Sequence, residues 1–113
     1  MARLPPGALP DWLGTSAFTS VTRTAAETSI VAPDRSIPAG AVAERGWAML
    51  RVRGPIPFEQ IGVLASIAGP LARASVSIFA VSTYDTDYVL VKHGDLARAI
   101  EALAADGHTI TAR

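Results

Sequence analysis

Two runs rich in β-branched and aromatic residues, SVSIFAVS (75–82) and TDYVLVK (86–92), are separated only by Thr83-Tyr84-Asp85. A connection that short joins antiparallel neighbours, so the two runs predict a β-hairpin. The second run alternates poorly, as a central strand buried on both faces would. The flanks narrow the fold further. Before the hairpin, FEQIGVLASIAGPLARA (58–74) places Ile61, Leu64, Ala68 and Leu71 on one helical face. Pro70 lacks a backbone donor and crowds the preceding turn, so this helix is expected to kink or break at Gly69-Pro70. After the hairpin, Leu96, Ile100 and Leu103 predict a helix over 95–106, with Gly94 or Asp95 as N-cap and Gly107 as its left-handed C-terminal residue.

Upstream, GWAMLRVR (46–53) reads as a strand with Ala48, Leu50 and Val52 on one face and Trp47, Met49, Arg51 and Arg53 on the other. Gly54-Pro55-Ile56-Pro57 ends it. HTITAR (108–113) reads as a short last strand. From residue 46 the order is strand, helix, strand, strand, helix, strand. That is the α+β, ferredoxin-like βαββαβ pattern: an antiparallel sheet with two helices on one face. Residues 1–16 hold Pro5, Pro6, Gly7, Pro10 and Gly14 and are expected to be irregular. Residues 17–24 and 27–32 predict an N-terminal β-hairpin, and 33–40 (PDRSIPAG) a loop. The expected organisation is an irregular segment (1–16), a hairpin and loop (17–45, a candidate partial unit of the same kind) and one α+β domain (46–113).

The chain has 113 residues, with ten Lys and Arg against ten Asp and Glu, and no cysteine. The charge balance argues against a nucleic-acid partner and gives no attraction to an anionic membrane. The missing thiols exclude disulfides, thiolate zinc sites and cysteine nucleophiles. A cytoplasmic location is expected, with no membrane association. No phosphate-cradling glycine loop and no hydrolase-type serine turn occur, so no cofactor is expected.

The stretch PFEQIGVLASIAGPLARASVSI resembles the strand-to-helix signature of ACT domains, with Gly62-Val63-Leu64 where that family opens its first helix. VSTYDTDYVLV, ETSIVAP and GWAMLRVRGPIPF are similar to the CASTOR-like subfamily, which includes short bacterial ACT proteins. The resemblance covers roughly residues 17–113. It implies the ACT fold, a regulatory and non-enzymatic module, a homodimer, an amino acid or similar small molecule as ligand, and a regulated protein that the sequence does not name. It places Gly62, Val63, Leu64, Thr83, Tyr84 and Asp87 at the ligand. Gln60 stands where the arginine-binding members carry an acidic group, which argues against arginine itself.

The chemistry of these residues suits a zwitterion. Amides that open a helix favour a carboxylate, and Gly62 lets ligand atoms approach the backbone. Asp87 offers an acceptor to an ammonium. Each residue also has a plainer reading. Gly62 serves equally well as a glycine that lets helix and sheet approach. Asp85 reads first as a hairpin-corner residue bonded to its local backbone. Asp87 alone is an exposed strand-end carboxylate, and the resemblance tips it to the ligand. Tyr84 and Tyr88 read as wall or packing residues. Asp85-x-Asp87 as a metal pair is disfavoured in so short a chain, and His93 and His108 make no metal claim. The main alternative to a ligand sensor is a structural or protein-interaction module with no ligand. A small enzyme and an RNA-binding module are weaker readings.

Overall fold

The computed structural model describes residues 1–7, 9–14, 18–57 and 59–111. Two compact units divide the chain, Met1–Gly46 and Trp47–Arg113.

In the first unit, β1 (Ala2–Leu4), β2 (Ser20–Arg23), β3 (Thr28–Val31) and β4 (Val42–Ala43) form one antiparallel sheet in the order β2-β3-β1-β4. The expected hairpin is β2–β3, and Thr24 closes its turn by accepting from the Ala26 and Glu27 amides at 3.1 Å. The irregular reading of residues 1–16 needs correcting at its start. Ala2, only 1% exposed, begins a strand bonded on both sides. The prolines that discourage regular structure begin at Pro5, so they end β1 rather than prevent it. In the 33–40 loop, the Arg45 guanidinium donates to the carbonyls of Asp34, Ile37 and Pro38. The Asp34 carboxylate in turn accepts from the Gly46 amide.

The second unit holds β5 (Trp47–Arg51), α1 (Val63–Arg73), β6 (Ile78–Ser82), β7 (Asp87–Lys92) and α2 (Leu96–Ala105). Its antiparallel sheet runs β5-β7-β6. Strand β7 is central, and Val89, Leu90 and Val91 are all buried, which accounts for its weak alternation. Val89 and Val91 face Ile67 and Leu71 of α1 and Ala99 and Leu103 of α2, with Ala48, Leu50 and Val52 packed against them. This is the expected α+β arrangement of two helices over one sheet face. On the other face of β5, the Trp47 ring lies 4.6 Å from Phe79, with the Lys92 ammonium 4.8 Å from its centre.

Helix α1 differs from its reading in two ways. It starts at Val63 rather than near 58, and Phe58 lies outside the described residues. Ile61, counted on the apolar face, precedes the helix and is 95% exposed; Ile67 fills the buried position instead. The helix also runs through Pro70 to Arg73 without a break. Pro70 leaves the Ser66 carbonyl without its i+4 donor, and His108 Nε2 supplies one at 2.8 Å.

Both helices end in a Schellman motif. In α2, the Gly107 amide donates to Ala104 and the His108 amide to Leu103, with Gly107 at φ 95° as anticipated. In α1, the Ser75 amide donates to Ala72 and the Val76 amide to Leu71, with Ser75 at φ 60°. The Asp95 carboxylate makes no cap bond and pairs with Arg98 at 3.1 Å instead. The expected strand at 108–113 is absent over 108–111, and Ala112 and Arg113 lie outside the described residues. His108 is engaged by α1 and Ile110 packs on the core cluster, so tertiary contacts override the local β preference of His-Thr-Ile-Thr. Among the described residues no helix is long and apolar enough to cross a membrane.

Candidate functional site

The candidate residues fall on two features. The first is the start of α1. Gly62 is its N-cap, exposed and left-handed at φ 82°, with no side-chain cap bond. Its carbonyl accepts from the Ser66 amide at 2.9 Å, and the amides of the first turn lie ahead of the intrahelical ladder. Among the described residues no acidic side chain stands in that first turn to neutralise the positive end of the helix dipole. Leu64 packs against the core, so only its backbone is available to a ligand. Gln60 is exposed, and its backbone N–H donates to the Pro57 carbonyl.

The second feature is the turn between β6 and β7. Thr83 closes it, donating its amide to the Thr86 carbonyl at 2.8 Å and accepting the Thr86 amide on its hydroxyl at 3.3 Å. Local side-chain capping thus comes from Thr83, the position at which sequence reasoning placed a ligand contact. Asp85, read as the self-bonding corner, contributes its carbonyl to the Ile56 amide at 2.7 Å. Tyr84 stands at the tip, 80% exposed. Asp87 opens β7, half-buried, and accepts a hydrogen bond from the Ser82 hydroxyl.

The loop that leaves β5 toward the first feature begins at the end of the sheet that carries the second. The C-terminal residue of β5, Arg51, pairs with Tyr88 at the start of β7. Beyond it, the Val52 amide donates to the Asp87 carbonyl at 3.0 Å, and the Thr86 hydroxyl donates to the Val52 carbonyl at 2.6 Å. With the Ile56–Asp85 bond, the loop leading into α1 is stitched to the β6–β7 turn. Three backbone and side-chain bonds therefore fix where that loop departs toward Gly62.

Two participants escaped the reading of the sequence. Thr86, 8% exposed, is the buried pin of this corner. Ser82 orients the Asp87 carboxylate, and the signal for it was present: a turn closed by Thr83 and Thr86 pairs residue 82 with 87, and the register is Ser82↔Asp87. Among the described residues no three His, Asp or Glu side chains gather as metal ligands. A groove of about 290 Å³ lies elsewhere, between the C-terminal ends of the helices, lined by Pro70, Arg73, Ala74, Ala102, Ala105 and Asp106.

Comparison with known proteins agrees with this architecture. The chain is 41% identical over 58 residues to the human cytosolic arginine sensor for mTORC1 subunit 1, and the mouse protein is 38% identical over the same length. Those matches cover 50% of this chain and 18% of each sensor, so the chain spans less than a fifth of their length. The crystal structure of protein Atu0741 from Agrobacterium tumefaciens superposes with a TM-score of 0.90 at 37% identity, covering 97% of this chain and 83% of that one. A Vibrio cholerae protein of unknown function, VC0802, described as a possible transport protein, shares the fold at a TM-score of 0.66 and 21% identity, over 90% of this chain and 79% of that one. Residues 42–105, more than half of the chain, match the ACT domain model. The chain therefore belongs to the ACT domain family.

Proposed function

We propose that this chain is a cytoplasmic, non-enzymatic sensor that binds an amino acid or a closely similar small molecule at a seam between two ACT units, as a homodimer. ACT domains are regulatory ligand-binding modules, and the similarity to an arginine sensor favours an amino acid. We place the chain in the CASTOR-like subfamily of short bacterial ACT proteins. The observation that supports the reading is that the loop leading to an uncapped helix start is bonded to the turn that carries a carboxylate held by Ser82. Helix-opening amides at Gly62, Val63 and Leu64 would take the ligand carboxylate, and Asp87 its ammonium. Thr83 and Tyr84 form the wall beside Asp87. The protein would act by population shift: a ligand that contacts both units favours one packing of the seam, and a regulated protein reads the difference.

Isothermal titration calorimetry against the twenty common amino acids tests this, with Asp87→Asn as the paired variant. At least one amino acid should give heat. The variant, which keeps an acceptor for Ser82 but removes the charge, should weaken that binding by roughly tenfold or more. No heat from any of them would falsify the sensor reading. Gln60 makes a neutral side chain the first expectation, so arginine should not be the tightest ligand.

A second reading has its own support. Thr83 is committed to the turn and one Asp87 oxygen to Ser82, as in a module that assembles without a ligand. A thermal-shift screen separates the two, because a ligand bound only by the folded form raises Tm.

A further inference from the structure

We propose that the N-terminal half of α1, Val63–Gly69, opens as a local unit, and that His108 is the strap that holds it closed. Leu64 and Ile67 pack this half onto the core, but its own backbone has little local support. Its N-cap is Gly62, with no side-chain bond, and its first turn has no acidic residue. The Ser66 hydroxyl turns back to donate to the Val63 carbonyl at 2.7 Å, a bond that tends to bend helices. Gly69 weakens a helix relative to alanine. Pro70 then interrupts the ladder, leaving the Ser66 carbonyl without its donor.

The donor comes from a residue 42 positions away. A carbonyl oxygen only accepts, so His108 makes this 2.8 Å bond with its proton on Nε2. Its position is set by the end of α2. Gly107 adopts the left-handed conformation, the His108 amide bonds back to Leu103, and the imidazole is carried to α1. Ile110, packed against the core cluster, anchors the segment on its far side. The strap therefore couples the chain's C-terminal segment to the helix half that begins at Gly62. If Gly62–Leu64 present amides to a ligand, as proposed above, the strap sets how often those amides are in place. That consequence rests on the sensor reading, whereas the strap itself does not.

Amide hydrogen exchange on the ligand-free chain provides the test. His108→Ala should speed exchange at Ile67, Ala68 and Gly69 by about fivefold, the loss of one hydrogen bond, while the α2 amides change little. His108→Gln, which keeps an N–H at similar reach, should restore most of the protection. In a Pro70→Ala background the new amide satisfies Ser66, so adding His108→Ala should have little further effect. Unchanged exchange in His108→Ala, an equal rise in α1 and α2, or an undiminished effect in the Pro70→Ala background each overturns the strap. If Pro70→Ala does not fold, the Ala and Gln variants at His108 decide the matter alone. No amino acid enters the experiment, so its failure is distinct from a failure of the sensor reading.

Discussion

Helices α1 and α2 lie side by side over one sheet and end in the same hydrogen-bond pattern, but they reach it from different sequences. At the left-handed position α2 has Gly107, at φ 95°, and α1 has Ser75, at φ 60°. Helix α2 has no internal proline, and its 10 residues are mostly alanine, leucine and charged formers; α1 carries Pro70 in its last two turns. Both defects of α1 are met by groups belonging to α2 or the residues just after it. His108 serves the Ser66 carbonyl, and Arg98 donates to the Ser75 carbonyl at 3.2 Å. One helix is thus locally consistent and the other is completed by its neighbour. The completed helix is the one whose start forms part of the candidate site.

The core anchors should not show this asymmetry. Leu71 and Leu103 hold equivalent places, each accepting the bond from the residue five positions on in its Schellman motif, and they are 0% and 4% exposed. Leu71→Ala and Leu103→Ala should each cost about 3 kcal/mol in urea unfolding, the usual range for a buried leucine. A Leu71 variant costing far less would mean that α1 is not packed as tightly as α2, and the comparison would fail at its base.

The left-handed positions should respond with opposite signs. At Gly107 nothing lies within 4 Å of an added Cβ, so Gly107→Ala would suffer only from its backbone conformation. The expected loss is about 1 kcal/mol. At Ser75 that penalty is already present in the native chain. Ser75→Gly should remove it and give back part of the gain as unfolded-state entropy, for a net stabilisation of about 0.5 kcal/mol. For a unit of this size these shifts correspond to several degrees down and a few degrees up in Tm. Two changes of the same sign would show that the helix ends are not equivalent.

The same contrast explains what could be read from the sequence. Helix α2 was legible to within one residue at each end because Leu96, Leu103 and Gly107 act locally. The β6–β7 hairpin was legible because its turn is too short for any other connection. That helix α1 continues through Pro70 was not legible because the compensating donor sits near the far end of the sequence, and a window of neighbouring residues contains no trace of it. The C-terminal strand failed for the matching reason: His108 and Ile110 are engaged by contacts that local β preference cannot register. Strand β1 was missed because three residues before a proline pair carry no periodicity. At the candidate site, Gly62 and Asp87 were visible as residue types. The joining of their loops through Val52, Ile56 and Thr86 was not, since those bonds cross some thirty positions and depend on the sheet register.

The smallest effect concerns Arg98. Its guanidinium bonds both the Ser75 carbonyl and the Asp95 carboxylate, and the side chains of that ion pair are 54% and 32% exposed. An exposed pair of this kind contributes little, so Arg98→Met, which keeps the apolar stem, should cost no more than about 0.5 kcal/mol. The informative quantity is the coupling with Ser75. If Arg98 helps hold Ser75 in its unfavourable conformation, its loss should matter less once Ser75→Gly has removed the strain. The double variant should then lie above the sum of the single ones in thermal unfolding, beyond the few tenths of a kcal/mol expected for independent sites. Strict additivity would mean that Arg98 merely rests on the end of α1, leaving His108 as the contact through which α2 completes its partner.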